Sequence, residues 1–356
     1  MKKRISARAI CLIVAAAMLM GALTVSAING SPYENLKNAA FNALFYDNVT
    51  IEAEFTLRID GEVHEVAWTR QYIGNDSSLS IAHSESPWRA SNNIFVPRQL
   101  HIISYQSHEL VIDTSVTTSD GVQWYSVRRN RNNFGFNSIG YEIFGPAGRN
   151  SNQLRLAEIM IDLFVGDLKN NLTISAYGDG VRRVSGAITE SQLPEIVRVL
   201  IAIGMDAIEA DHNARNRNFQ REDFNHIMDI PPRNISIDRI AGHADIDNNG
   251  NLLFINGMAI VTMENIFGDV HLVEVEATAS FTDIGTTVPE NPFPGSSAIF
   301  TEELFREFFD NQQWWRTLYF TLDANGNIDI DSITGQWPTS RAQNAPIQLS
   351  PTGIAH

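Results

Sequence analysis

The segment from Val49 to Asp60 constrains the fold more than any other. Val49, Ile51, Ala53, Phe55, Leu57 and Ile59 alternate strictly with Thr50, Glu52, Glu54, Thr56, Arg58 and Asp60. Successive side chains of an extended strand point to opposite sides. A period of two in hydrophobicity therefore describes a strand with one face on a core and the other in water. Asp60-Gly61 follows, the dipeptide suited to a two-residue hairpin turn, whose central residues take positive φ. The returning run carries Val66, Trp68 and Tyr72. Phe55, Leu57, Trp68 and Tyr72 are expected on one inward face, where they either line an apolar ligand cavity or simply fill a core.

The same alternation recurs late in the chain, where Val273, Val275, Ala277, Ala279 and Phe281 interleave with Glu274, Glu276, Thr278, Ser280 and Thr282. Further strands are expected at Leu79–His83, Leu100–Tyr105, Glu109–Asp113 and Val122–Arg129. A second hairpin spans Leu172–Tyr177 and Val181–Ile188, turning at Asp179-Gly180. Two strands, Leu318–Leu322 and Asn327–Ile330, finish the fold. Helices have their own signals. Ser31, Pro32 and Glu34 form a capping box, with Tyr33, Leu36, Ala40 and Leu44 on one face behind it. Ser151 starts a second helix with Leu156, Ile159, Met160, Leu163 and Phe164 on one side. A third begins near Ser191 and turns Leu193, Ile196, Val197, Leu200, Ile203 and Ile208 inward. In the last, Phe300 and Phe305 bracket the cap Thr301 at hydrophobic-staple spacing.

Strands joined by short turns pair antiparallel, and a one-sided apolar sheet needs cover. The expected class is α+β: a large curved antiparallel β-sheet, half-barrel-like, with amphipathic helices packed on its concave face. Residues 28–337 form one such domain. The polar loop Asn130 to Asn150 is the alternative boundary between two lobes, and residues 338–356 form a disordered tail.

The first 27 residues read as a signal peptide. Lys2, Lys3, Arg4 and Arg8 precede an apolar run from Ala9 to Val25, and Val25-Ser26-Ala27 suits cleavage after Ala27. An uncleaved membrane anchor is the alternative. No later segment is apolar enough to cross a membrane. The expected location is thus secreted or extracytoplasmic. The one cysteine, Cys11, lies inside the leader, so the mature chain is expected to have neither disulfides nor cysteine metal sites. The formal charge is −15, and removing the four basic residues of the leader makes it −19. A surface so acidic repels nucleic acid.

Catalytic chemistry finds little support. Asp245-x-Asp247-x-Asn249-Gly250 matches the first half of a calcium loop, but position twelve is Asn256 where a glutamate is needed, and the flanks read as strands. Asp247-Asn248-Asn249-Gly250-Asn251 and its echo, Asp323-Ala324-Asn325-Gly326-Asn327, read better as hairpin turns. Asp113-Thr114-Ser115 resembles an aspartic-protease motif without its glycine or its second carboxylate. The nine histidines, including His101, His108 and His243, show no metal-ligand spacing and read as surface residues. Gly135-Phe136-Asn137-Ser138-Ile139-Gly140 misses the nucleophile-elbow spacing by one residue. Asn48, Asn171 and Asn234 open formal glycosylation triplets, which carry no weight in a chain with a bacterial-type leader. No cofactor or metal is expected.

Two resemblances complete the reading. Ser31-Pro32-Tyr33-Glu34 through Asp60-Gly61-Glu62, Gln192-Leu193-Pro194-Glu195 and Asp283-Ile284-Gly285-Thr286-Thr287 are similar to stretches of uncharacterised secreted proteins of Gram-positive, clostridium-like bacteria. That resemblance implies a location outside the cytoplasm and no activity. The order helix-then-curved-sheet resembles the lipoprotein-carrier half-barrel, of LolA type and of related mycobacterial lipid-binding lipoproteins. It implies acyl chains held between sheet and helices, and it rests on no diagnostic motif. The expected function is a non-catalytic envelope protein that binds an apolar small molecule or lipid, or an envelope protein partner. The alternatives are a structural or sensory domain with a filled core and, behind it, an uncharacterised hydrolase.

Overall fold

The alternating segment forms a strand, and twelve further strands join it in one antiparallel sheet. The computed structural model describes residues 32–89, 95–117, 122–130, 148–165, 171–178, 180–193, 232–309 and 317–336. The strands are β1 (Val49–Ile59), β2 (Glu62–Ile73), β3 (Ser77–Arg89), β4 (Phe95–Ser107), β5 (Leu110–Thr117), β6 (Gln123–Arg129), β7 (Leu172–Ala176), β8 (Arg182–Thr189), β9 (Pro232–Ile246), β10 (Leu252–Asn265), β11 (Val270–Thr282), β12 (Leu318–Leu322) and β13 (Ile328–Thr334). Their order across the sheet is β13-β12-β6-β5-β4-β3-β2-β1-β11-β10-β9-β8-β7, so the sheet is open, with β13 and β7 at its edges. Four α-helices are described: α1 (Pro32–Leu44), α2 (Asn152–Val165), α3 (Ser296–Ile299) and α4 (Glu302–Phe309). The leader at 1–27, most of the 130–150 loop, the third helix from residue 194 onward, the elbow-like Gly135–Gly140 stretch and the tail at 338–356 lie outside the described residues.

The β1–β2 hairpin turns as expected: Asp60 and Gly61 take φ of 52° and 83°. Asp60 also accepts hydrogen bonds from the Leu272 N–H, at 2.8 Å, and faces His271 Nδ1 at 2.8 Å, tying the turn to β11. Three residues into β2 the register slips. Arg58 pairs with Val63, but Leu57 pairs with Glu65, so His64 is an extra residue on β2. One inserted residue sends every later side chain of that strand to the opposite face. Phe55 therefore opposes Ala67, and Trp68 opposes Glu54. This corrects the sequence expectation: Trp68 and Tyr72 stand on the side of the sheet away from Phe55 and Leu57.

The slip divides the core between the two faces. On the Phe55 face, β8 to β11 and β1 bury Leu57, Ile59, Ile240, Val261 and Val275 as one cluster. Beside it, Tyr33, Leu36 and Ala39 of α1 pack on Val184, Ala244, Ile246 and Ile255. On the Trp68 face, β3 to β6 with β12 bury Leu79, Ile112, Val127, Leu318 and Phe320, joined by Phe293, Phe300 and Phe305 from the α3–α4 region. Burial of each such large apolar side chain contributes about 1.5–3 kcal/mol. The sides left over are polar: Ser80, Ser84, Ser104 and Ser126 on one half, Glu52, Glu276, Thr278 and Asn256 on the other. Helical cover accordingly lies on both faces, α1 on one and α4 on the other, rather than on one side alone.

The chain crosses between faces after β11. Asn48 and Thr287 exchange two hydrogen bonds, 2.9 and 2.6 Å, and Thr50 Oγ1 lies 3.0 Å from Thr287 Oγ1. This links the end of β11 to the start of β1, and the loop then delivers Phe293 to the second core. The staple around Thr301 forms as its spacing requires: Phe300 and Phe305 are buried with ring centroids 6.3 Å apart, and Thr301 Oγ1 accepts from the Leu304 N–H at 3.3 Å. α2 departs from the simple amphipathic picture. Leu154 is buried and Ile161 packs on the core beside α1, while Leu156 and Ile159 are 60% and 63% exposed.

Candidate functional site

A hollow of about 380 Å3 lies over the middle of the sheet on the Phe55 face. It sits between the cluster under α1 and the cluster around Val275. Its floor comes from two cross-strand rows. One runs Ala82–Thr69–Ala53–Ala279–Ile255, and the other Ser84–Ala67–Phe55–Ala277–Gly257. Opposed residues in neighbouring antiparallel strands point to the same side. Eight of these ten positions carry Ala, Gly, Ser or Thr, and the short side chains leave the space that forms the hollow. Phe55, Ile102 and Ile255 add the larger apolar walls.

The four sequence candidates separate. Phe55 faces the hollow. Leu57, on the same face, is buried in the cluster beside it. Trp68 borders the hollow by position, but its ring stands on the other face, stacked on His83 with centroids 5.8 Å apart. Tyr72 packs against the second core. Sequence reading missed Ala53, Ala67, Ala277, Ala279 and Gly257. Their signal was small residues at consecutive inward positions of strands otherwise built from large ones.

A second, more open groove of about 470 Å3 lies over β7–β11, lined by Arg183, Arg239, His243, Asn256 and Glu276 among others. Arg183 is engaged by groups beside the groove. Arg183 holds Asp245 through two 2.7 Å bonds and lies over the Tyr177 ring. Burial, with the nearby Arg183 charge, pushes the His243 imidazole below its ordinary pKa, although Asp245 acts the other way.

The motif-like acids have structural roles. Asp247 Oδ1 accepts from the N–H groups of Asn249 and Asn251, each at 2.8 Å, and Asp323 does the same for Asn325 and Asn327. Gly250 and Gly326 both take φ of 82°. The two segments are therefore the same three-residue hairpin turn. A third copy, Asn265 to Asp269 with Gly268, went unnoticed in the sequence because Asn replaces the leading Asp. Asp113 lies on β5, where burial raises its pKa against the opposing effects of a Ser104 hydrogen bond and Arg128. Its cross-strand neighbours are Ser104 and Ser126, and no second carboxylate opposes it. Among the described residues, no group of three His, Asp or Glu side chains stands in metal-holding geometry, and no helix is long and apolar enough to cross a membrane.

No protein-family model and no curated protein matches the chain. Solved structures give remote similarities. The N-terminal β-barrel domain of Pseudomonas aeruginosa OprF aligns at 7% identity, over 66% of this chain and 98% of that one, with a TM-score of 0.14. The PpsC dehydratase domain of Mycobacterium tuberculosis aligns at 13% identity, over 70% and 83%, with a TM-score of 0.08. A hot dog fold protein of unknown function from Alicyclobacillus acidocaldarius aligns at 7% identity, over 76% and 98%, with a TM-score of 0.09.

Proposed function

We propose that this is a non-catalytic, exported envelope protein that holds an apolar small molecule or a lipid chain in the hollow on the Phe55 face. The observation that supports this is the 380 Å3 space over a floor of Ala, Gly, Ser and Thr, walled by Phe55, Ile102 and Ile255. Ligand pockets are typically concave, mostly apolar and of this size range. In this reading the leader is cleaved after Ala27 and the protein works outside the cytoplasm. A half-barrel bend with helical cover on its concave side applies to the half of the sheet under α1.

Native mass spectrometry of protein purified from its own host tests the proposal. A non-covalent adduct of lipid-like mass, removed by organic extraction and regained on adding a fatty acid, is the expected result. A clean apo mass together with no uptake of fatty acid contradicts it. A second reading, docking of an envelope protein, is supported by the exposed Leu156, Ile159 and Met160 of α2. Cross-linking in the native host tests this second reading: a partner captured through α2, with the hollow shown empty by native mass spectrometry, favours it over the first.

A further inference from the structure

The groove over β7–β11 is built on a row of polar side chains that no core uses. Thr173 on β7, Ser185 on β8, His243 on β9 and Asn256 on β10 oppose one another in turn. The four therefore project from one side of the sheet. All of them line the groove of about 470 Å3, and none is buried. Adjacent strands lie about 4.8 Å apart, so the row is roughly 15 Å long. Ser185 Oγ lies 3.3 Å from Thr173 Oγ1. Among the described residues, the His243 ring and the Asn256 amide have no hydrogen-bond partner. The His243 ring sits beside Phe254 instead, with centroids 5.4 Å apart. The next row on the same side is Ala187, Ala241 and Met258, which is apolar and mostly short.

A hydroxyl and a carboxamide each donate and accept hydrogen bonds, and a neutral imidazole does both through its two nitrogens. Burial and the nearby Arg183 charge favour the neutral ring at His243. Every position of the row thus offers both roles, and the row carries no charge. A site selective for an anion presents donors, and one selective for a cation presents acceptors. The charged groups at the groove do not favour either sign. Arg183 is held by Asp245 at 2.7 Å, and Arg239 and Glu276 bring one charge each. The matching ligand is neutral, rich in hydroxyls and flat enough to lie on Ala187 and Ala241, with C–H groups against Met258. A sugar ring has those properties. The length of the row suits a short stretch of linear glycan better than one ring.

We propose that this groove binds a neutral linear glycan. Thr173, Ser185, His243 and Asn256 hydrogen-bond to its hydroxyls, and Ala187, Ala241 and Met258 lie under its rings. The row is open to water, so each bond to the sugar replaces one to solvent and the net gain per contact is small. Affinity therefore grows with the number of sugar units in contact. Asn256 borders the hollow as well, whereas Ala187, Ser185 and His243 border the groove and not the hollow. Those three tell the two spaces apart.

Titration calorimetry of the full chain at neutral pH with cellohexaose, chitohexaose and maltohexaose, each alone, tests this. At least one is expected to bind saturably at one equivalent, and more tightly than its own disaccharide. Ser185→Ala and Asn256→Ala are each expected to weaken that binding up to about tenfold. Ala187→Trp, at an exposed position, is expected to abolish it with unchanged circular dichroism. Ala277→Leu, on the floor of the hollow, is expected to leave it unchanged. The proposal is overturned if none of the three hexasaccharides binds, or if only a heparin hexasaccharide does. It is overturned equally if the disaccharide binds as tightly as the hexasaccharide, or if Ala187→Trp binds like the parent. Loss of uptake in Ala277→Leu with normal uptake in Ala187→Trp would move the sugar to the hollow and also overturn it. If Asn256→Ala fails to fold, Ala187→Trp decides alone.

Discussion

The carboxylate of Asp247 shows how much one side chain contributes at a turn. Burial works against its charge, but donation from Asn251 and Asn249 holds its pKa below the usual carboxylate value. At Asp323, hydrogen bonds donated chiefly by Asn327 likewise hold the carboxyl below its ordinary pKa. A carboxylate whose pKa is lowered by folding stabilises fully above its unfolded value, about 4, and loses that contribution as pH falls through the folded value. Asp247→Ala is expected to cost about 1–2 kcal/mol at neutral pH. In urea titrations across pH, the penalty should shrink toward zero below the carboxylate range; a penalty independent of pH would contradict the charged-acceptor role. Gly242 makes a second residue-scale case. A Cβ there would lie 2.5 Å from the Asn256 carbonyl oxygen, a backbone atom that cannot swing aside. Gly242→Ala is expected to destabilise by about 1–3 kcal/mol, read as a lower urea midpoint.

At the scale of the element, local structure was legible and sidedness was not. Strict alternation located β1 and β11, Asp60-Gly61 located the first hairpin, and the Phe300–Thr301–Phe305 spacing located α4. Each is a short-range signal that the neighbouring residues settle among themselves. The face of β2 depends on His64, an extra residue whose effect reaches the rest of the strand. The slip leaves a weak trace, since Val63 and Val66 fall three apart, but both are exposed and burial does not announce it. The hollow was half legible: Phe55 could be named from alternation, but its floor depends on residues from five strands aligned by register. Deleting His64 should restore an unbroken ladder, swing Val66, Trp68 and Tyr72 to the Phe55 face, and leave the protein unable to complete its second core. His64→Ala keeps the residue count and should stay within about 1 kcal/mol of the parent. Equal stability of the deletion and the substitution would show that the slip is not needed.

Across the whole molecule, the switch of faces explains why one sheet carries two cores and why its middle is thinly filled. β1 contributes Leu57 and Ile59 to one core, while β3 contributes Leu79 to the other. Between them the Phe55 face is left with short side chains, and the hollow occupies that stretch. Ala277→Leu places a larger side chain on its floor, on the half-buried side of β11. The variant is expected to keep its fold and lose most of its uptake of a hydrophobic fluorescent probe, with equilibrium binding as the measurement. Unchanged uptake would place the probe elsewhere.

Register across β1 and β2 can be measured directly, because Cys11 is the chain's one native thiol. Two double-cysteine variants suffice, F55C with A67C and F55C with V66C, each oxidised under native conditions and scored for the intramolecular bridge. A disulfide requires Cα atoms about 4.4–6.8 Å apart with side chains directed at one another. Bridging of 55 to 67 with none between 55 and 66 is the outcome expected of a slipped hairpin that parts the two cores. Bridging of 55 to 66 instead would put Trp68 beside Phe55 and contradict it.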